Sequence, residues 1–156
     1  MSENVPAFLD VLSHSEGTDK GADPYRVCYA FRHSIQSLSD HPAVTGEWTG
    51  ERITVGRYAG ELSTAAGRYQ INKPTWLRIK AKLGLTSFEN DAQDSAAVEL
   101  LKEYGAFDLV DGGDIKGAIA KLANVWASLP GGDSGQHEFA YKLLQASYLA
   151  DGGQLA

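Results

Sequence analysis

The sequence predicts a mostly helical α+β domain with a small antiparallel sheet inserted after its first helix. Three observations predict it. Apolar residues at helical spacing open the chain, and the same spacing returns after residue 73. Between them, residues 18–72 hold scattered glycines, Pro24, Pro42 and two short β-rich pieces, 27–31 and 53–58. The chain has 156 residues, 43% apolar and 22% charged, which suits one ordinary domain spanning 1–156 with a core large enough to need no covalent staple.

The first helix is expected to open near Pro6, a favoured helix-opening residue, and to end near Gly17, where a left-handed cap suits glycine. Phe8, Leu9, Val11 and Leu12 form its apolar stripe, and His14, Ser15 and Glu16 fall in its last turn. Pro74 opens a later helix with Trp76, Ile79 and Leu83 on one face, closed by Gly84. Asn90 and Gln93 read as a capping box for a helix ending at Gly105, with Ala96, Ala97, Leu100, Leu101 and Tyr104 on its buried side. Asp114 caps a helix carrying Ile115, Ala118, Ile119 and Leu122. After Pro130-Gly131-Gly132, Ser134 caps a last helix that buries Phe139, Leu143, Ala146 and Leu149 and stops near Gly152.

Charge excludes some function classes. Twenty acids against fourteen bases give −6, which argues against nucleic acid as a partner. The imbalance is local. Residues 1–85 hold nine acids and ten bases, net +1, and residues 86–156 hold eleven acids and four bases, net −7. An anionic ligand is therefore better placed on the first half. No apolar run reaches the ~20 residues of a membrane span, so no direct membrane insertion is expected. The N-terminal residues carry no basic start and apolar stretch of a secretory signal, so synthesis in the cytoplasm without export is expected.

His14, His33, His41 and His137 form no metal-ligand spacing, so no metal is expected, and they read as surface or loop histidines. Cys28, the single cysteine, sits in the apolar run Val27-Cys28-Tyr29-Ala30-Phe31 and reads as a buried, inert side chain rather than a nucleophile. Neither a nucleophile elbow nor a phosphate loop is present, so no cofactor is expected.

Two segments remain. Ser15-Glu16-Gly17-Thr18-Asp19 sets a carboxylate at a helix C-terminus beside an apolar stripe. The helix dipole and the apolar surroundings both disfavour its charged form, which would raise the pKa of Glu16 and suit a general acid. The plainer reading is a solvated Glu next to a glycine cap. Ser63-Thr64-Ala65-Ala66-Gly67-Arg68-Tyr69-Gln70 lets a ligand approach the backbone through small residues, with a Tyr hydroxyl and a Gln amide to bond a sugar. The plainer reading is a tight turn that Tyr69 and Gln70 themselves hold. Among the tryptophans, Trp76 reads as core, Trp126 as core or cleft wall, and Trp48, between Gly46 and Gly50, as a glycan contact or an exposed loop anchor.

These segments, with Phe8-Leu9-Asp10, Ser39-Asp40-His41-Pro42, Ser95-Ala96-Ala97-Val98 and Asn124-Val125-Trp126-Ala127-Ser128-Leu129-Pro130-Gly131, run in an order that resembles the lambda-phage endolysin family of lytic transglycosylases. The resemblance implies a lysozyme-like fold, a helical body with a small sheet flanking a cleft. It implies cleavage of the β-1,4 bond between N-acetylmuramic acid and N-acetylglucosamine in peptidoglycan. The family's acid/base glutamate maps onto Glu16, and its glycan-cleft segment onto residues 63–70, with Ser63, Thr64, Ala65, Tyr69 and Gln70 as candidate contacts and Tyr69 and Gln70 the best-supported positions. Cleft-flanking loops would be 46–60 and 131–137.

A hydrolase acting on this bond uses two carboxyl groups, whereas a transglycosylase needs one, because the substrate's own C6 hydroxyl attacks C1. Asp19 and Glu61 are the nearest rivals for a second carboxylate. The implied partners are peptidoglycan glycan strands and a holin that lets the enzyme leave the host cytoplasm for the wall. A monomer without cofactor or metal is expected. A hydrolytic muramidase and a Cys28-dependent amidase are the competing enzymes, and a non-cleaving glycan-binding domain is the competing non-enzyme.

Overall fold

A computed structural model describes residues 2–130 and 135–156, the side chains of 135–139 excepted. The expected Ser134 cap and the loop 131–137 fall on or beside the omitted residues, and Phe139 and His137 also lie outside the described side chains. The chain divides into two compact units, one made of residues 1–19 and 97–156 and the other of residues 20–96.

The first unit opens with α1 (Asn4–Glu16). Val5, Phe8, Val11 and Leu12 are fully buried along it, the stripe expected from their spacing. Gly17 ends the helix at φ +80°, and its N–H donates to the carbonyls of His14 and Ser13. Among the described residues, four more helices complete this unit: the latter part of α4 (Asn90–Glu103), then α5 (Phe107–Asp111), α6 (Ile115–Leu122) and α7 (Gly135–Ala150). α1 packs against α5 and α7. Asp114 caps α6 as expected, its carboxylate accepting from the Gly117 N–H at 2.9 Å, and Ile115, Ala118, Ile119 and Leu122 are buried. The short α5 was not anticipated.

The buried face of α7 differs from the expected one. Leu144 and Tyr148 are buried, while Leu143 and Leu149 are 55% and 46% exposed and Ala146 is also exposed. The two faces lie about 100° apart on a helix, one residue step, and leucines stand on both. Tyr148 decides the matter, because its hydroxyl needs a partner when buried and finds the Gln154 carbonyl at 2.9 Å. Asn4 ties the ends of this unit together. Its amide donates to the Asp111 carbonyl at 3.1 Å, and its side-chain oxygen accepts from the Gln154 N–H at 2.7 Å.

The second unit holds α2 (Pro42–Thr45), β1 (Glu51–Arg52), β2 (Leu62–Ser63), α3 (Lys73–Leu83) and the start of α4. β1 and β2 pair antiparallel, Glu51 opposite Ser63 and Arg52 opposite Leu62. The strands flank the segment 53–58 instead of occupying it. Gly56, at φ +85°, turns the chain inside that stretch and closes it as a loop, with Ile53 donating to the Glu61 carbonyl at 2.9 Å. Residues 27–31 are not a strand either. Tyr29–Phe31 is a 3₁₀ turn with Ala30 and Phe31 at φ +54° and +57°, values no strand tolerates, and only isolated bridges join Val27 to Ser34 and Cys28 to Ala66.

α3 follows the expected limits. Asn72 caps it by accepting from the Thr75 N–H at 3.1 Å, and Gly84 ends it in the left-handed region. Trp76 and Ile79 are fully buried, but Leu83, in the last turn, is 38% exposed. Tyr104, one residue beyond the end of α4, is likewise exposed where burial was expected. The capping box of Asn90 and Gln93 does not form. The Gln93 amide donates to the carbonyls of Phe88 and Tyr25 at 2.8 and 3.0 Å, and its oxygen accepts from the Arg68 N–H at 2.9 Å. Three bonds, two of them to the distant Tyr25 and Arg68, outweigh one local cap. A core of Trp76, Phe88 and His41 fills the centre of this unit, Phe88 standing edge-on to Trp76 at 4.7 Å and to His41 at 5.1 Å between centroids.

Candidate active site

Glu16 is the last residue of α1, placed there because Gly17 ends the helix one residue later. Burial pushes its carboxyl from the ordinary 4.5 up to about 7, against a smaller lowering effect from the Ser128 hydroxyl. The Ser128 hydroxyl donates to Oε1 of Glu16 at 3.0 Å, and the Ser15 hydroxyl donates to Oγ of Ser128 at 2.8 Å. A serine hydroxyl carries one hydrogen, so the order Ser15, Ser128, Glu16 is a directed relay ending on the carboxylate. A carboxyl that is half protonated near neutrality can both give and take a proton in that range.

Local sequence pattern does not mark Ser128 as a site residue. It stands 112 positions from Glu16 in the chain. The one signal for it was its place in the Asn124–Gly131 motif, which marks a resemblance and names no role.

The carboxylate nearest to Glu16 in sequence, Asp19, holds His14 instead, with Nδ1 2.7 Å from Oδ2. Below them, the hydroxyls of Ser13 and Thr18 meet at 2.8 Å in a buried pair that fixes the turn carrying Asp19. Glu61, the other rival, is exposed and belongs to the second unit.

The small-residue segment and Trp48 lie in the second unit. Ser63, Thr64 and Ala65 are half-buried. The Thr64 hydroxyl accepts from the Lys73 N–H at 2.9 Å, and the Ser63 hydroxyl from the Ala65 N–H at 3.3 Å. Trp48, also half-buried, precedes Gly50, where a Cβ would stand 2.9 Å from the Ser63 carbonyl oxygen. That close approach of backbone to backbone sets the Trp48 segment beside Ser63 and Thr64.

Tyr69 and Gln70 are held within the same unit. Tyr69 is 1% exposed, and its hydroxyl donates to Oδ1 of Asp94 at 2.6 Å. Burial first, and the Asp94 carboxylate beside it, hold that hydroxyl well above the ordinary tyrosine pKa, with Arg68 opposing. The Gln70 amide donates to the carbonyls of Gly67 and Val27 at 2.8 and 2.9 Å. The Gly67 bond closes the turn, and the bonds to Val27 and Asp94 tie it to distant segments of the same unit. Gly67 makes the turn possible, at φ +81° with the Gln93 side chain where a Cβ would go.

The remaining candidates are placed as follows. Cys28 is fully buried, and burial, with Glu47 adding to it, pushes its thiol up to about 12. His33 bonds Glu47 at 2.5 Å. His41 lies in the loop that caps α2, but it is not at the surface. It is fully buried, with Nδ1 accepting from the Ala43 N–H and Nε2 donating to the Ile71 carbonyl, so both nitrogens serve the core. Trp76 is core, its Nε1 donating to Asp40 at 2.9 Å, and Trp126 is 3% exposed. Among the described residues, no group of three or more His, Cys, Asp or Glu side chains is gathered to hold a metal, and no helix is long and apolar enough to cross a membrane.

A family model described as Endolysin matches residues 6–155. A curated protein named Endolysin from Escherichia phage lambda is 37% identical over 147 residues, 94% of this chain and 90% of its own length. Another Endolysin, from Escherichia phage P2, is 34% identical over 157 residues, covering 97% of this chain and 94% of its own length. A solved structure described as lysozyme from bacteriophage lambda superposes with a TM-score of 0.85 at 34% identity, covering 100% of this chain and 98% of that one. A second structure, described as bacteriophage lambda lysozyme complexed with a chitohexasaccharide, gives a TM-score of 0.81 at 35% identity with the same coverage. At this identity the likeness extends to the fold, which is lysozyme-like, mostly helical with a small two-stranded antiparallel sheet.

Proposed function

The chain belongs to the endolysin family, and we propose that it acts as one catalytic domain that cleaves the β-1,4 bond between N-acetylmuramic acid and N-acetylglucosamine in peptidoglycan, by lytic transglycosylation, with Glu16 as acid and base. The observation that carries the reading is the Glu16 carboxyl, raised to about 7 at the end of α1. The protonated carboxyl gives its proton to the glycosidic oxygen as the C1–O bond breaks. The carboxylate left behind takes the proton of the muramoyl C6 hydroxyl, whose oxygen bonds C1 and closes a 1,6-anhydro ring. One proton leaves Glu16 and one returns, so no water is consumed. The attacking hydroxyl is tethered to the sugar it attacks, which removes much of the entropic cost.

The pairing of Asp19 with His14 supports a single-carboxyl scheme. The glycan is assigned to Ser63, Thr64, Ala65 and Trp48. Tyr69 and Gln70 serve that segment by holding its turn, and the Gln70 side-chain oxygen is the atom of the pair assigned to the substrate's acetamido group. The lambda lysozyme solved with a chitohexasaccharide supports an N-acetylated glycan as the ligand class. Release from the host cytoplasm through a holin-permeabilised membrane, and action as a monomer, belong to the same reading.

The description of the solved relatives as lysozymes favours one competing reading, hydrolysis of the same bond. Digesting purified peptidoglycan with the parent protein and with Glu16→Gln separates the two by mass. Anhydro-muramoyl ends from the parent alone support transglycosylation. Reducing ends, about 18 Da heavier, would replace it with a hydrolase and make Asp19 the first candidate for a second carboxyl. Cleavage by Glu16→Gln would overturn both.

A further inference from the structure

We propose that Ser128, oriented by Ser15, is a positioning residue that pins Oε1 of Glu16 and leaves Oε2 as the oxygen that exchanges the proton with the substrate. The inference deepens the reading above and rests on Glu16 being the acid of the reaction.

Ser15 donates to Oγ of Ser128 at 2.8 Å, so the single hydrogen of Ser128 is free to point along the 3.0 Å contact to Oε1. An oxygen that already accepts a hydrogen bond is the poorer place for the proton, so the acidic hydrogen resides on Oε2. The same donor favours the charged carboxylate and opposes the burial that raises it. One contact thus fixes the position of the carboxylate and tempers the proton affinity that burial raises. The charged groups nearest in sequence, His14 and Asp19, hold each other at 2.7 Å. Among the described residues, α5 and α7, the helices packed against α1, contribute no charge to the shift of Glu16. Ser128 itself is carried on the 3₁₀-like turn that follows α6, where Val125 and Trp126 both donate to the Leu122 carbonyl at 2.9 Å and Leu129 to the Trp126 carbonyl at 3.0 Å. The hydroxyl is therefore presented by fixed backbone.

The test compares Ser128→Ala, Ser128→Thr and Ser15→Ala with the parent, each confirmed folded by circular dichroism. The Glu16 carboxyl is titrated by carbon NMR, and the pH–rate profile is taken on solubilised peptidoglycan strands. In Ser128→Ala the carboxyl midpoint should rise by about one pH unit, which is the loss of roughly tenfold preference for the charged form expected on removing a hydrogen bond to a charge. The alkaline limb of kcat should move up with it. The plateau of kcat should fall about tenfold with KM within about twofold, since orientation and not binding is lost. Ser128→Thr should restore both midpoint and limb. Ser15→Ala should shift both in the same direction by less, and it carries the test should Ser128→Ala not fold. A parental midpoint and limb in folded Ser128→Ala, or a KM that rises while kcat holds, would overturn the inference. The two readings fail separately: a Glu16→Gln protein that still cleaves overturns the function, whereas an inert Glu16→Gln beside a parental Ser128→Ala overturns the positioning role alone.

Discussion

Replacing Gly67 by alanine should destabilise the second unit by about 3–4 kcal/mol, and the figure can be built from its parts. Gly67 sits at φ +81°, a left-handed conformation in which a Cβ costs about 1–2 kcal/mol. The added carbon would stand 2.3 Å from the Gln93 side-chain oxygen and 2.9 Å from the Phe88 ring, so something must move. Phe88 is fully buried beneath Trp76 and has nowhere to go. Gln93 is 1% exposed and must give up its bond from the Arg68 N–H at 2.9 Å, with those to Phe88 and Tyr25 weakened. A buried hydrogen bond lost with one partner left unsatisfied costs about 1–3 kcal/mol. Gly56→Ala is the internal control. Gly56 has φ +85° in the same unit with nothing within 4 Å of the would-be Cβ, so it reports the backbone cost alone. The assay is urea unfolding of both variants at a shared slope, followed by tryptophan fluorescence, where Trp76 reports on the unit. Adding Gly67→Ala to a Gln93→Ala background should cost less than adding it to the parent, because the clash is already relieved. A Gly67→Ala variant within about 0.5 kcal/mol of Gly56→Ala would refute the reasoning.

Three further outcomes follow from the structure. Glu16→Gln should be more stable than the parent at pH 8 and no more stable at pH 4.5. A carboxyl raised from 4.5 to about 7 contributes stability that is complete below its unfolded pKa and lost as pH rises through 7, so its removal should gain on the order of 2–3 kcal/mol in urea unfolding at the higher pH. Cys28, buried and with its thiol pushed up to about 12, should resist iodoacetamide at pH 8 until the chain unfolds, and the parent's activity should survive the treatment; rapid labelling with loss of activity would revive a thiol mechanism. Asp114→Ala should cost about 1 kcal/mol in thermal unfolding by removing the cap on the Gly117 N–H, and Asp114→Asn should cost far less.

Local signals were legible in the sequence and long-range ones were not. α1, α3 and α6 were readable because their ends are written in adjacent residues: Gly17, Pro74 with Gly84, and Asp114. The strands were displaced from the β-rich pieces because two-residue strands carry almost no pattern, and because Gly56, Ala30 and Phe31 turn the chain where side-chain preference alone would extend it. α7 offered leucines on more than one face, and the choice among them depended on the Gln154 carbonyl that receives Tyr148. Gln93 had the spacing of a cap and the burial of a core residue, and only its distant partners Arg68 and Tyr25 decide between them. His41 was hidden for the same reason, its partner Ile71 lying 30 residues on. Glu16 was legible as a carboxylate in an unfavourable place, since both the helix end and the apolar stripe are local. Its hydroxyl partner was not, since no local rule links residue 16 to residue 128.

The bond between Asn4 and Gln154 has a topological consequence. With the Gln154 N–H 2.7 Å from the Asn4 side chain and the Ala156 N–H 3.1 Å from the Gly113 carbonyl, the first and last turns of the chain are neighbours in space. A linker of a few residues would close the backbone into a ring without displacing either. New ends could then be cut in the exposed stretch 54–60, between the two strands and remote in sequence from Glu16 and Ser128. The order in which the helices are synthesised is thus separable from the arrangement they reach, and a circularly permuted chain would start its translation inside the second unit and make Ser128 before α1, the reverse of their present order.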